Sequence, residues 1–111
     1  MIQWQTICSK SDLVKNTGIC ALFNEKQVAI FLCGHSDRLF AIDNYDPIGK
    51  AHVLSRGILG SVGDKTVIAS PLYKQHFCLE SGVCIEDVSI TVGTYHVRCY
   101  EGSIQLGLSN V

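Results

Sequence analysis

Asp43-Asn-Tyr-Asp-Pro-Ile-Gly-Lys-Ala-His-Val-Leu-Ser-Arg-Gly57 and Ile68-Ala-Ser-Pro-Leu-Tyr-Lys-Gln-His-Phe-Cys-Leu-Glu-Ser-Gly82 are the two stretches whose reading decides the fold. Each carries one proline early, Pro47 and Pro71; the first closes on Leu54-Ser-Arg-Gly57 and the second on Phe77-Cys-Leu-Glu-Ser-Gly82. The region 43–82 holds both prolines of the chain and five of its ten glycines, and only Thr66-Val-Ile-Ala69 reads as a strand. Such a composition predicts an ordered, turn-rich lobe carried on a separate scaffold. Gly57, Gly60 and Gly63 bracket the connection between the two loops.

The scaffold on either side reads as strands. Ile2–Ile7 is a strand anchored by Trp4, and Ser9-Lys-Ser-Asp-Leu-Val14 is a capped single turn. Ile19-Cys-Ala-Leu-Phe23 and Val28-Ala-Ile-Phe-Leu-Cys33 are continuous apolar runs separated by Asn-Glu-Lys-Gln. They predict a hairpin with both strands largely buried. Leu39-Phe-Ala-Ile42 extends it to a meander that feeds the first loop. Beyond Gly82, Val83-Cys-Ile85 is a short strand. Tyr95–Tyr100 alternates with Tyr95, Val97 and Cys99 on one face, and Ile104, Leu106 and Leu108 repeat that period after the Glu101-Gly102 turn. With no amphipathic helix and no repeat, the fold class is all-β, an antiparallel β-sandwich with a loop-rich lobe at one end. A single domain over residues 1–111 is expected, with the lobe at about 43–82 inserted in the β scaffold.

Composition narrows the function classes. The chain is 17% charged and 47% apolar with a net charge of −1, so it lacks the basic stripe of a nucleic-acid binder, and part of its surface suits a partner. No apolar run is long enough to span a membrane, and the opening Met1-Ile-Gln-Trp-Gln5 lacks the pattern of a secretory signal, so a cytoplasmic location is expected. The six cysteines (8, 20, 33, 78, 84 and 99) contain no Cys-x-x-Cys, and most lie in apolar runs. They are expected to be free thiols acting as small hydrophobes. Cys33-Gly-His35 is a Cys-x-His, but no Cys-x-x-His completes it, and it falls in a turn ahead of the first loop. No nucleophile–base arrangement, phosphate loop or zinc spacing can be assembled, so no independent catalytic residue is assigned.

Read as a pair, the loops resemble the two cluster loops of Rieske-type ferredoxin domains. That family holds a [2Fe-2S] cluster with Cys-x-His from one loop and Cys-x-x-His from the other. Setting Pro47 and Pro71 on the family's loop prolines puts Asp46 and Ile48 at the first ligand pair and Ser70 and Tyr73 at the second. All four ligands are replaced. Two hard oxygens at most, from Asp46 and Tyr73, make a poor cage for a sulfide-bridged cluster. The expectation is therefore a Rieske-like fold with no cluster and no metal site, in which Ile48 and Tyr73 fill the space the cluster would occupy.

The wording Ala41-Ile-Asp-Asn-Tyr-Asp-Pro47, then Ala51-His-Val-Leu-Ser-Arg-Gly57, then Ala69-Ser-Pro-Leu-Tyr-Lys-Gln-His-Phe77 is more specific. With Trp4 and Gly18-Ile-Cys-Ala-Leu22, it is similar to the small subunits of bacterial assimilatory NADH-dependent nitrite reductases over essentially the whole chain. The resemblance implies a large-subunit partner carrying FAD, an iron–sulfur cluster and sirohaem, and a net reduction of nitrite to ammonium. The present chain would be a non-redox subunit of that enzyme, and the choice between NADH and NADPH is not written in it. Two other readings stay open at this point: a stand-alone electron carrier with atypical ligands, and a binder of a small ligand between the loops. For Asp46 the plain alternative is a turn residue before proline. His52, Arg56, Lys74, Gln75 and His76 are the candidate partner-binding residues; the plain alternative is solvated loop surface.

Overall fold

The run Val28-Ala-Ile-Phe-Leu32 is almost wholly removed from solvent, its first four residues completely so. The reason is layering. In the computed structural model, which describes residues 2–109 (for 108 and 109 the backbone only), this run lies in strand β3 (Lys26–Leu32), between β2 (Gly18–Phe23) and β4 (Leu39–Asp43). One face of that sheet, with Val28, Ile30 and Ala41, packs on Ile104, Leu106 and Val97. The other, with Ala29, Phe31, Phe40 and Ile42, packs on Leu54, Ile68, Phe77 and Leu79. A strand covered on both faces needs apolar residues at every position, which explains the continuous run.

The first covering sheet brings the two ends of the described chain together. β1 (Ile2–Ser9) and β10 (His96–Tyr100) flank β11 (Ser103–Ser109), all antiparallel, with Ile2 opposite Ser109. The closing hairpin was legible; the pairing of β1 with β11 was not. The Leu108 side chain lies outside the described residues. Arg98 is half-buried because its guanidinium lies 4.2 Å from the Trp4 ring and 4.7 Å from Tyr100. The Ser9 turn forms as a 3-10 turn at Lys10–Asp12 with a capping box.

The loop lobe supplies the second cover. It comprises the small ladder β5 (Tyr45–Asp46) and β6 (Ala51–His52), a 3-10 turn at Leu54–Arg56, and the sheet β7 (Ile58–Val62), β8 (Lys65–Ala69) and β9 (His76–Cys78). Asp43 joins lobe to scaffold: its carboxylate accepts the Gly93 amide at 2.9 Å and the Tyr95 hydroxyl at 2.5 Å. Burial, and then the hydrogen bond to Asp43, hold the Tyr95 phenol well above its usual ionisation range.

Two expectations need correcting. β2 is not largely buried: Leu22 is 70% exposed and Cys20 is also exposed, because β2 is an edge strand. Cys99 likewise faces solvent, while Cys33, Cys78 and Cys84 are buried; all six thiols are free. Val83-Cys-Ile85 forms only isolated bridges, Phe77 to Cys84 and Val83 to Thr91.

Truncating Phe31 to Ala should cost about 3–5 kcal/mol, as expected for a large ring lost from a closed core. The check is urea unfolding followed by circular dichroism; a change under about 0.5 kcal/mol, the range of surface substitutions, would contradict the two-sided packing.

Candidate functional site

The paired loops repeat one backbone motif. Asp46-Pro-Ile-Gly-Lys50 closes with the Lys50 amide on the Asp46 carbonyl at 2.7 Å, and Ser70-Pro-Leu-Tyr-Lys74 closes with the Lys74 amide on the Ser70 carbonyl at 3.0 Å. Both lysines adopt left-handed backbone, φ 57° and 66°. Proline at the second position fixes the first turn dihedral, and the fifth must then swing left-handed to reverse the chain. Two further turns, Cys33–Asp37 and Cys78–Gly82, close by the same five-residue bond.

The residues at the family's ligand positions do something other than ligate. Asp46 and Ser70 are fully buried, and the Ser70 hydroxyl donates to Asp46 Oδ2 at 2.5 Å. Asp46 Oδ1 accepts the amides of Ile48 at 2.8 Å and Gly49 at 3.1 Å. One carboxylate thus folds its own loop and clamps the other. The turn reading of Asp46 is realised in this geometry, with the cross-loop bond added to it. Ile48 is half-buried and packs on the core cluster beneath the lobe.

Tyr73 departs from expectation: it is 63% exposed and fills no space between the loops. Leu72, itself 45% exposed, lays its Cδ1 over Gly49, where an added Cβ would meet it. Ser70, not Tyr73, takes the hydrogen bond to Asp46.

A [2Fe-2S] cluster does not fit this donor set. The Asp46 carboxylate is committed to three donors, Ile48 offers no lone pair, Ser70 points at Asp46, and Tyr73 looks outward. Among the described residues no three His, Cys, Asp or Glu side chains converge as a metal site would require. The space between the loops is crossed by the Asp46–Ser70 bond, with Leu72 lying over Gly49.

The candidate partner-binding residues divide into separate places. Lys74 is exposed on the tip of the second loop, beside Leu72 and Tyr73. His76 is held from behind, its Nδ1 2.6 Å from Glu86 Oε2 while its amide donates to Glu86 Oε1 at 2.8 Å. Those bonds, the His76 amide foremost, hold the Glu86 carboxyl below its usual range. Gln75 is half-buried, with a side-chain oxygen that meets no donor. His52 instead packs tilted against Tyr45, ring centres 5.1 Å apart, and lines a cavity of about 430 Å³ with Leu22, Lys26 and Asp43. Arg56 lies exposed at the end of the Leu54–Arg56 turn. Lys50 and Leu72 were missed, although the repeated Pro-x-x-Lys of 47–50 and 71–74 carried the signal.

The Cys33 thiol is drawn below its usual range by the Ser36 hydroxyl, then by the Ser36 amide. At Cys78 burial pushes the other way, but the Ser81 hydroxyl and turn amides prevail.

A three-strand core sheet covered by a closing sheet and by a two-loop lobe defines the Rieske-like class, here with a cross-loop hydrogen bond where that class keeps its cluster. The family model for the Rieske-like [2Fe-2S] domain matches residues 3–107. The nitrite reductase (NADH) small subunit of Salmonella typhimurium is 47% identical over 106 residues, 96% of this chain and 98% of that protein. The NMR structure of the Escherichia coli protein NirD superposes with a TM-score of 0.89 at 44% identity, covering 99% of this chain and 100% of that one. A Klebsiella oxytoca protein, the nitrite reductase [NAD(P)H] large subunit, is 36% identical over 104 residues, which span 94% of this chain and 11% of that protein. The chain belongs to the family of nitrite reductase (NADH) small subunits.

Replacing Ser70 with Ala removes the buried donor to Asp46 and should cost about 1.5–3 kcal/mol, the range for a hydrogen bond to a charged group. Equal urea midpoints for the variant and the parent would rule out the clamp. Glu86 gives a pH signature. Its folded carboxyl sits below the unfolded value, so its stabilisation is present above the ordinary carboxylate range and is lost as pH falls through the folded value. Glu86→Gln should therefore lower stability at neutral pH, by less than about 1 kcal/mol for so exposed a pair, and leave it unchanged in acid. Melting curves at both pH values decide it.

Proposed function

We propose that the chain is a non-redox small subunit of a cytoplasmic NADH-dependent nitrite reductase, docking on a large subunit that carries FAD, an iron–sulfur cluster and sirohaem and reduces nitrite to ammonium. The observation that carries this reading is the Klebsiella oxytoca large subunit, which holds a segment similar to nearly all of this chain within a much longer polypeptide. A unit found fused to a large subunit is one whose work is done against it. Fusion supplies as high local concentration what a separate subunit must supply by affinity.

The lobe tip is the docking element we favour. Leu72 and Tyr73 are 45% and 63% exposed there, apolar surface of the kind that marks an interaction site. Lys50 and Lys74 close the two loops in left-handed backbone that costs a non-glycine residue about 1–2 kcal/mol. A lysine kept at both positions despite that cost fits a pair of ammonium groups offered to an acidic partner surface. Binding the assembled large subunit in preference to its loosened forms would stabilise the active arrangement. Catalysis stays with the partner, and this chain contributes shape and charge.

The rival reading, an electron carrier in its own right, has the donor set against it. Anaerobically isolated protein should be colourless and free of iron and labile sulfide; two irons and two sulfides per chain, the content of such a cluster, would establish the rival instead. Lys50→Glu with Lys74→Glu should weaken association with the large subunit at least tenfold, about 1.4 kcal/mol, and lower nitrite-dependent NADH oxidation at limiting small subunit. Size-exclusion chromatography of the co-expressed pair gives the binding result, and unchanged complex formation counts against the tip as the docking element.

A further inference from the structure

The lobe sheet ends in an unguarded edge. In the order β7-β8-β9, β8 is flanked on both sides, whereas β7 pairs only with β8 among the described residues. From Ile58 to Val62 the strand has no charged residue, no proline and no shift of register. Those are the devices by which exposed edges are ordinarily blunted. Its outer face is apolar and open: Ile58 is 70% exposed, Val62 is 38% exposed, and a Cβ on Gly60 would meet nothing within 4 Å.

The opposite face of the same strand borders a recess. Leu59 and Ser61, with Thr66 across the ladder and Asn16, Cys33 and His35 from the core-sheet side, line a cavity of about 360 Å³. An extended segment laid along β7 would therefore gain twice. Its main chain would bond the free edge, and alternate side chains would point to the side where Leu59 and Ser61 meet the cavity. Main-chain pairing supplies affinity in such an arrangement, and the recess supplies selection among sequences.

We infer that the β7 edge receives an extended strand of the nitrite reductase large subunit, with side chains of that strand seated in the cavity beside Cys33. The inference rests on the subunit reading above and adds a second contact to the lobe tip. The occupant is argued from the Klebsiella oxytoca protein: its matched segment is 11% of the chain, so the rest of a large subunit lies within a linker's reach of an edge of this kind. A second copy of this chain is the weaker choice. Two five-residue strands pairing edge to edge would bury well short of the roughly 1,200 Å² at which stable specific interfaces begin.

Hydrogen–deuterium exchange on the full chain, alone and in complex with the co-expressed large subunit, tests this directly. Amides in 58–62 should slow at least tenfold in the complex, and Ile58→Lys with Val62→Lys should weaken binding at least tenfold while the free chain keeps its melting curve. Unchanged exchange of these amides in a complex that does form would overturn the edge and leave the subunit reading standing. Protection that grows with the concentration of the isolated chain would assign the edge to a second copy and overturn it too. Failure of the parent chain to bind a large subunit at all would remove the subunit reading, and the edge inference with it. The exchange measurement uses the parent protein, so the result stands even if the lysine variant folds poorly.

Discussion

The Asp46–Ser70 hydrogen bond is the constraint on which the lobe depends. It joins two loops 24 residues apart in sequence, in a place where neither residue sees water. A buried carboxylate is tolerable only if its lone pairs are used, and here two amides of its own loop and one hydroxyl of the other use them. In a Rieske domain a metal cluster performs that joining through four covalent links. In this chain a polar contact of a few kcal/mol spans the two loops. Around it Ile48 packs on the core and Leu72 lies over Gly49.

Beneath the lobe lies the core sheet. β3 is buried on both faces, so both covering layers are fastened to one apolar strand, and the loop turns need only hold themselves. Asp43 completes the join, binding the Gly93 amide and the Tyr95 hydroxyl where the scaffold hands over to the first loop. A rigid base under two short turns is how loops present side chains without large losses of order on binding.

Much of this was legible in the residues. The continuous run at Val28–Leu32 announced a strand covered twice, and the alternation at Tyr95–Tyr100 announced the closing hairpin. Loop wording carried the family. What stayed hidden depends on contacts between distant segments. Nothing local says that Ile2 pairs with Ser109, or that β2 is an edge whose Leu22 and Cys20 face solvent. Tyr73 reads as interior only by analogy with ligand positions that must face a cluster. The five-residue turn closed by a left-handed Lys74 instead leaves it on the exposed tip beside Leu72. The candidate polar residues were adjacent in sequence terms only: His52 faces the β2–β3 side while Lys74 sits on the tip.

The pairing of β1 with β11 has a consequence for how such a unit is inherited. Strand entry and strand exit stand side by side on the sheet farthest from the loops, with Ile2 across from Ser109. A module whose incoming and outgoing backbone share one doorway can be spliced into a longer polypeptide, or cut free of one, through short connectors and without stretching its interior. The loop lobe then projects away from the seam, so the same architecture can serve as a separate protein or as a segment of a larger one.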